Sequence, residues 1–122
     1  MITSQLSATA YLSVLNGNAF ISLVIAGTQR TLAGAAVPTT GFHHVVGTWD
    51  GTNQRVYLDG VLGATSANFA GALTTGTSSL IGTFDKASLF FNGVIDDVAA
   101  YNYALSSTQV ASHYNAALGK VF

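Results

Sequence analysis

"FHHVVGTWDGTNQRVYLDG", residues 42 to 60, is the stretch that decides the fold. Two β-prone runs, "FHHVVGTWD" and "QRVYLDG", flank a turn at Asp50 to Asn53, and Asp59-Gly60 returns the chain into "VLGAT". Asp-Gly pairs accept the positive φ of tight hairpins, so the stretch predicts consecutive antiparallel strands. Apart from its two histidines it carries only Asp50, Arg55 and Asp59 as charges. A hairpin this poor in charge is built to be covered.

The same punctuation continues upstream. "SATAYLSVL" sets Ala8, Ala10, Leu12 and Val14 against Thr9, Tyr11 and Ser13, the period of a half-buried strand. After the Asn16-Gly17 turn, "AFISLVIA" is apolar on both faces and predicts a central strand. Downstream, "SSLIG" and "SLFFNGVIDDVAAY" predict weaker strands, while residues 63 to 78, rich in Gly, Ala, Ser and Thr, mix a poor strand with loop. Helical periodicity enters only at the end. In "SSTQVASHYNAALG", Ser106 and Gln109 form a capping box, Val110, Tyr114 and Leu118 make an apolar stripe, and Gly119 suits the C′ position. A run of strands closed by one helix predicts an all-β antiparallel sandwich with a short C-terminal helix packed on it.

Composition narrows the function. The 122 residues fit one domain, 1–122, with no repeat and no linker. Hydrophobic residues make up 49% and charged residues 7%, against roughly 25% charged in an ordinary soluble domain. The formal charge of −1 leaves no electrostatic footprint for nucleic acid or an anionic membrane. No apolar run is long enough to span a bilayer, and "MITSQLSATA" lacks the basic and apolar regions of a signal peptide. There is no cysteine, hence no disulfide and no thiolate metal site.

"FHHVVGTWDGTNQRVYLDGVLGAT", "LIG" and "FNGVIDDVAAYNYALSSTQVASHY" together resemble the laminin-G-like, concanavalin-A-like jelly-roll family. The resemblance rests on Phe42, His43, His44 and Val45, on Asp59-Gly60, and on a block formed by Phe91, Gly93, Ile95, Asp96, Asp97, Val98, Tyr101, Asn102, Ala104, Leu105 and Ser106. It implies a jelly-roll β-sandwich, and it implies recognition, with loop residues binding a carbohydrate or a surface protein. Phe42 stands where tryptophan is usual. The opening strands of the fold are missing, so the domain is expected to be N-terminally abbreviated.

Catalysis finds no candidate. Sandwich glycosidases use a close pair of carboxylates, and this chain has five Asp and no Glu. Asp96 and Asp97, if neighbours on a strand, face opposite ways and cannot flank one bond. The same geometry keeps His43 and His44 from ligating one ion together, and His113 falls on the polar side of the helix. Structural roles are expected for these histidines. Trp49 and Tyr103 are the aromatic candidates for a sugar platform, with Asp50 and Asn53 as polar neighbours. Asp50, Asn53, Asp85 and Asn92 are weak calcium candidates, since calcium needs six to eight oxygens and Asp50 is already explained by its turn. No cofactor is expected. A lone Trp in a sandwich packs in the core, as do Tyr57 and Tyr101.

The reading is a non-catalytic recognition or adhesion module, extracellular, on a cell surface or on a virion. The alternative is a structural assembly subunit, such as a phage virion decoration protein or a surface-lattice protein, completed by neighbouring chains. In either case a homo-oligomer or partner-completed assembly is expected, through residues 1 to 26. The uncharged run Phe20 to Ile25 would otherwise invite aggregation from an open edge.

Overall fold

In the computed structural model, residues 4–5, 10–74, 76, 80–83 and 87–119 are described. Eight strands and one helix follow in chain order: β1 (Ser4–Gln5), β2 (Ala10–Leu15), β3 (Asn18–Ile25), β4 (Thr28–Ala36), β5 (Val45–Trp49), β6 (Gln54–Leu58), β7 (Val61–Thr65), β8 (Leu80–Ile81) and α1 (Ser107–Ala117). They form two antiparallel sheets, ordered β4-β3-β2-β1-β8 and β5-β6-β7. The sheets face each other as a β-sandwich, with β3 and β4 packed across β6. Hairpins join β2, β3 and β4 in the first sheet and β5, β6 and β7 in the second, while β1 pairs with β2 on one side and β8 on the other.

Three hairpins close through two residues, both at positive φ: Asn16-Gly17 (51° and 80°), Ala26-Gly27 (49° and 78°) and Asp59-Gly60 (51° and 81°). This is the turn whose twist matches that of the flanking strands. The first and third are legible as Asn-Gly and Asp-Gly. The second is not, because Ala rarely takes this conformation. A tertiary hydrogen bond holds it there, from the Ala26 N–H to the Ala72 carbonyl at 2.9 Å. For the same reason β4 is absent from the sequence reading. "TQRTLAGAA" is small and polar, and only its alternate residues turn inward.

β3 is the central strand the sequence predicts, hydrogen-bonded to β2 on one side and β4 on the other. Its inner residues Ala19, Ile21, Leu23 and Ile25 form the sandwich core with Ala10 and Val56. Phe20 to Ile25 is therefore no open edge, which removes the aggregation argument made for it. Gly34 and Gly47 make the layers fit. A Cβ on Gly34 would stand 2.8 Å from Val56 Cγ1, and one on Gly47 would stand 2.8 Å from Ile21 Cδ1.

The second core lies on the other face of β6, where Tyr57, Leu105 and Val110 are buried together with Val46 against them. This is where α1 docks. Its capping box is present, with Ser106 Oγ accepting from the Gln109 N–H and Gln109 Oε1 accepting from the Ser106 N–H. Gly119 takes the C′ position at φ 71°. The predicted stripe is only partly right: Val110 is fully buried, Tyr114 is half-buried, and Leu118 is 51% exposed. Leu118 is the C-cap residue, one past the last helical residue Ala117.

Residues 91–106 depart most from expectation. "SLFFNGVIDDVAAY" predicts a strand, yet the structure contains only an isolated bridge between Thr83 and Phe90, and 91–106 run outside any strand. Asp96 and Asp97 are consequently not strand neighbours with opposed side chains. Asp97 sits at φ 51°, and Asp96 Oδ1 accepts the Asp97 N–H.

The two histidines of the opening stretch both serve the Asp59-Gly60 turn. His43 Nδ1 lies 2.8 Å from Asp59 Oδ2, and the His44 N–H donates to Asp59 Oδ1 at 2.9 Å. The His44 ring stacks on Tyr114 of α1, 6.2 Å between centroids. Gly60 admits the helix, since a Cβ there would come within 3.1 Å of Tyr114 Cδ1. The Asp59 carboxylate raises the His43 pKa chiefly through that hydrogen bond, whereas burial, assisted by His113, lowers the His44 pKa.

Two outcomes follow from this packing. Ser106→Ala should cost about 1 kcal/mol, the usual worth of an N-cap, while Leu118→Ala should be near neutral in urea denaturation. The histidines should act oppositely with pH. Stabilisation by His43 is complete below its unfolded value of 6.5 and fades as pH rises through its raised folded value. That of neutral His44 is present above 6.5 and fades as pH falls toward its lowered folded value. In urea midpoints measured across this range, the destabilisation by His43→Gln should shrink as pH rises, and His44→Phe should blunt the acid-side loss.

Candidate functional site

The residues singled out from sequence do not form one cluster: Asp50 and Asn53 share a turn, while Trp49 and Tyr103 line a cleft. Asp50 is occupied by its own turn: Oδ1 accepts the N–H groups of Thr52 and Asn53 at 2.9 and 2.8 Å, and Oδ2 pairs with Arg55 Nη1. The Arg55 hydrogen bond, followed by that of the Asn53 amide, lowers its pKa to about 2. A calcium ion would have to displace these partners. Asn53 contributes backbone to the same turn, its carbonyl accepting from the Asp50 N–H. Asn92 is exposed on the 91–106 segment, and Asp85 lies outside the described residues. Among the described residues, no three His, Cys, Asp or Glu side chains gather closely enough to hold a metal ion.

Trp49 ends β5 half-buried and packs against the sandwich core, as the sequence predicts. Tyr103 is 56% exposed and meets Tyr101 edge-on, 5.7 Å between centroids. Tyr101, expected in the core, is also exposed, and it leans on His113 of α1 at 5.7 Å. Trp49 and Tyr103 both line one open cleft of about 1140 Å³. Its walls are the inner residues of β2 and β3, the strand β5 and residues 94–103. Phe42 stands 72% exposed at this cleft.

A second arrangement escaped the sequence because it joins three strands through uncharged residues. On the outer face of the five-stranded sheet, Gln29 Nε2 donates to the Tyr11 hydroxyl at 2.8 Å and to Ser22 Oγ at 3.0 Å. Ser22 Oγ lies 2.9 Å from Thr31 Oγ1. The Tyr11 ring rests edge-on against buried Phe20, 5.7 Å between centroids. Gln29 and Thr31 are exposed above buried Ser22. The register aligns them, with Tyr11 opposite Ser22 and Ser22 opposite Thr31. The only sequence signal was the alternation of Tyr11 and Ser13 with apolar residues, and without β4 its far end could not be seen.

If Trp49 is a packing residue, Trp49→Ala should destabilise by about 3 kcal/mol, the low end for a large aromatic because burial is partial. Its emission should be blue-shifted, and red, quencher-accessible emission would contradict the packing role.

No curated protein matches the chain. Among solved structures, it is similar to the crystal structure of an S-layer domain-containing protein (residues 221–444) from Clostridium thermocellum, at 19% identity and a TM-score of 0.56. That similarity covers 88% of this chain and 58% of the other. At this identity it speaks for the fold. No helix among the described residues is long and apolar enough to cross a membrane. The sequence also matches the family Laminin_G_3 over residues 2–111, nearly its whole length. The two facing sheets, the Asp-Gly hairpin clamped by His43 and His44, and the capped closing helix carry the same residues that suggested the resemblance. The chain belongs to the concanavalin A-like lectin/glucanase superfamily.

Proposed function

We propose that this domain is a non-catalytic recognition module for a neutral carbohydrate presented outside the cell or on a particle surface. The observation that supports the reading is the ladder Tyr11–Gln29–Ser22–Thr31. A sugar without charge is recognised by an aromatic ring beside fixed amide and hydroxyl groups. These groups stand on three paired strands, which hold them more firmly than loops would. Their mutual hydrogen bonds set their orientation before a ligand arrives, and this lowers the ordering cost of binding.

Hydrolysis is left out of this reading on chemical grounds. A glycosidase needs one carboxyl group to protonate the leaving oxygen and a second to assist on the other side. Of the carboxylates, Asp50 and Asp59 are tied into turns, and Asp96 is bonded to the backbone beside it. The ladder is neutral, so binding requires no cation. The S-layer protein of similar fold fits a surface setting, and it lends support to the second reading, a surface-lattice or virion subunit.

Isothermal titration with neutral gluco-, galacto- and manno-oligosaccharides tests the proposal. Saturable binding, unchanged by EDTA, should weaken at least about tenfold in Gln29→Ala, roughly the loss of one or two good hydrogen bonds. Circular dichroism of the variant should be unaltered. Loss through Tyr103→Ala with Gln29→Ala intact would move the site to the cleft. No binding to any of the three sugar classes would overturn the reading.

A further inference from the structure

The ladder on the outer face of the five-stranded sheet has a direction. A primary amide carries two N–H donors and one carbonyl acceptor, and a hydroxyl carries one donor and two acceptor lone pairs. Gln29 Nε2 uses both its hydrogens inside the fold, one on the Tyr11 hydroxyl at 2.8 Å and one on Ser22 Oγ at 3.0 Å. The side chain is exposed, and among the described residues nothing donates to its Oε1.

Ser22 carries the direction onward. It is 1% exposed, so its hydroxyl hydrogen must go to a neighbour and not to solvent. The acceptor within reach is Thr31 Oγ1, 2.9 Å away. Since Ser22 Oγ already accepts from Gln29, the donations run from Gln29 to Ser22 and from Ser22 to Thr31. Thr31 is exposed and keeps its own hydrogen for solvent or a ligand. The face therefore presents an acceptor at Gln29 and a donor at Thr31. These residues lie two apart on β4, roughly 6.6 Å along the strand, so different groups of one ligand meet them.

No charge among the described residues alters this presentation. Arg30, between the two in sequence, lies over the Phe69 ring, and Arg55 is paired with Asp50. A carboxylate, ether or ester set against Gln29 Oε1 would oppose two acceptors with no cation to offset them. A ligand hydroxyl would donate there instead. An acceptor desolvated without a donor costs more than the loss of one bond. A site built around a hydroxyl accordingly rejects the analogue that lacks it.

We infer that Gln29 determines specificity on this face: it admits a sugar whose free hydroxyl donates to its Oε1, and excludes the same sugar O-methylated or O-acetylated at that hydroxyl, and acidic sugars as well. Ser22 is the positioning residue behind it. Buried out of the ligand's reach, it fixes which way the Gln29 amide points. The selectivity rests on the carbohydrate reading of the ladder, whereas the direction of the ladder does not.

Two measurements on the full chain test this. The first uses no ligand. In heteronuclear NMR the side-chain NH2 protons of Gln29, assigned by their loss in Gln29→Leu, should exchange with solvent several-fold more slowly than in the urea-unfolded chain. In Ser22→Ala one of the two should lose that protection. Two unprotected protons in the folded wild type would mean that the amide turns its oxygen inward, and the inference fails. The second is titration with gluco-, galacto- and manno-disaccharides, each intact and with one hydroxyl at a time replaced by fluorine, which keeps the size and removes the donor. In a disaccharide that binds, fluorine at one position should weaken binding at least about tenfold, the effect of one well-made hydrogen bond. That ratio should fall toward one in Ser22→Ala and in Thr31→Val, whose exposed site tolerates the change, with circular dichroism unaltered. A ratio unchanged in both variants overturns the role given to Ser22. Equal binding of every fluorinated form, with Gln29→Ala still losing affinity, overturns the selectivity and leaves the carbohydrate reading standing. Failure of all three intact disaccharides to bind overturns both.

Discussion

The structure depends on one strand buried on both faces. β6 turns Val56 into the sandwich, where Gly34 lets β4 approach it, and turns the adjacent Tyr57 outward into the cluster of Leu105 and Val110. Period-two alternation means that consecutive residues must serve opposite layers. A slip of one residue in register would exchange them, placing a tyrosine hydroxyl against β3 and a valine under the helix. Asp50 on one side and Asp59 on the other bind the two turns that fix that register. The helix then has a defined surface to cap, and the sandwich has a defined wall.

This explains why so few charges are spent inside the fold and where they go. The ion pairs among the described residues, His43–Asp59 and Arg55–Asp50, both brace turns of the β5–β6–β7 meander. Arg30 places its guanidinium over the Phe69 ring, 4.4 Å from the centroid, while its carbonyl receives Gln54 Nε2. Gln54 is wholly buried at the start of β6 and links the two sheets through that bond. Neutral amides and hydroxyls thus take over duties that ion pairs often hold, in the core as on the outer face. A buried neutral hydrogen bond is cheaper to desolvate than a buried charge. A chain with 7% charged residues is consistent with that economy.

Much of this was legible in the sequence wherever local chemistry is decisive. Asn16-Gly17 and Asp59-Gly60 demand their turns, Ser106 with Gln109 demands a helix start, and the two-sided apolar run of β3 demands a central strand. What stayed hidden depends on partners far along the chain. The Ala26-Gly27 hairpin is held by the Ala72 carbonyl, so β4 had no local mark. The ladder then lacked half its members, since Gln29 and Thr31 lie on β4. Residues 91–106 show the reverse case. Their β-propensity is real, but a strand needs a neighbouring backbone, and beyond the bond from the Phe91 N–H to the Gly82 carbonyl the described residues supply none before the helix cap. Leu118 kept the right spacing for the helix stripe yet falls at the C-cap, where it is half exposed.

Propensity without pairing and an edge without a cover are two sides of one deficit. A sheet edge is normally blunted by charge, proline, a bulge or a covering element. β5 has none of the first two within it: Val45, Val46, Gly47, Thr48 and Trp49 are all neutral. Its register with β6 runs without a bulge. In the carbohydrate reading alone, such an edge is a liability with no benefit.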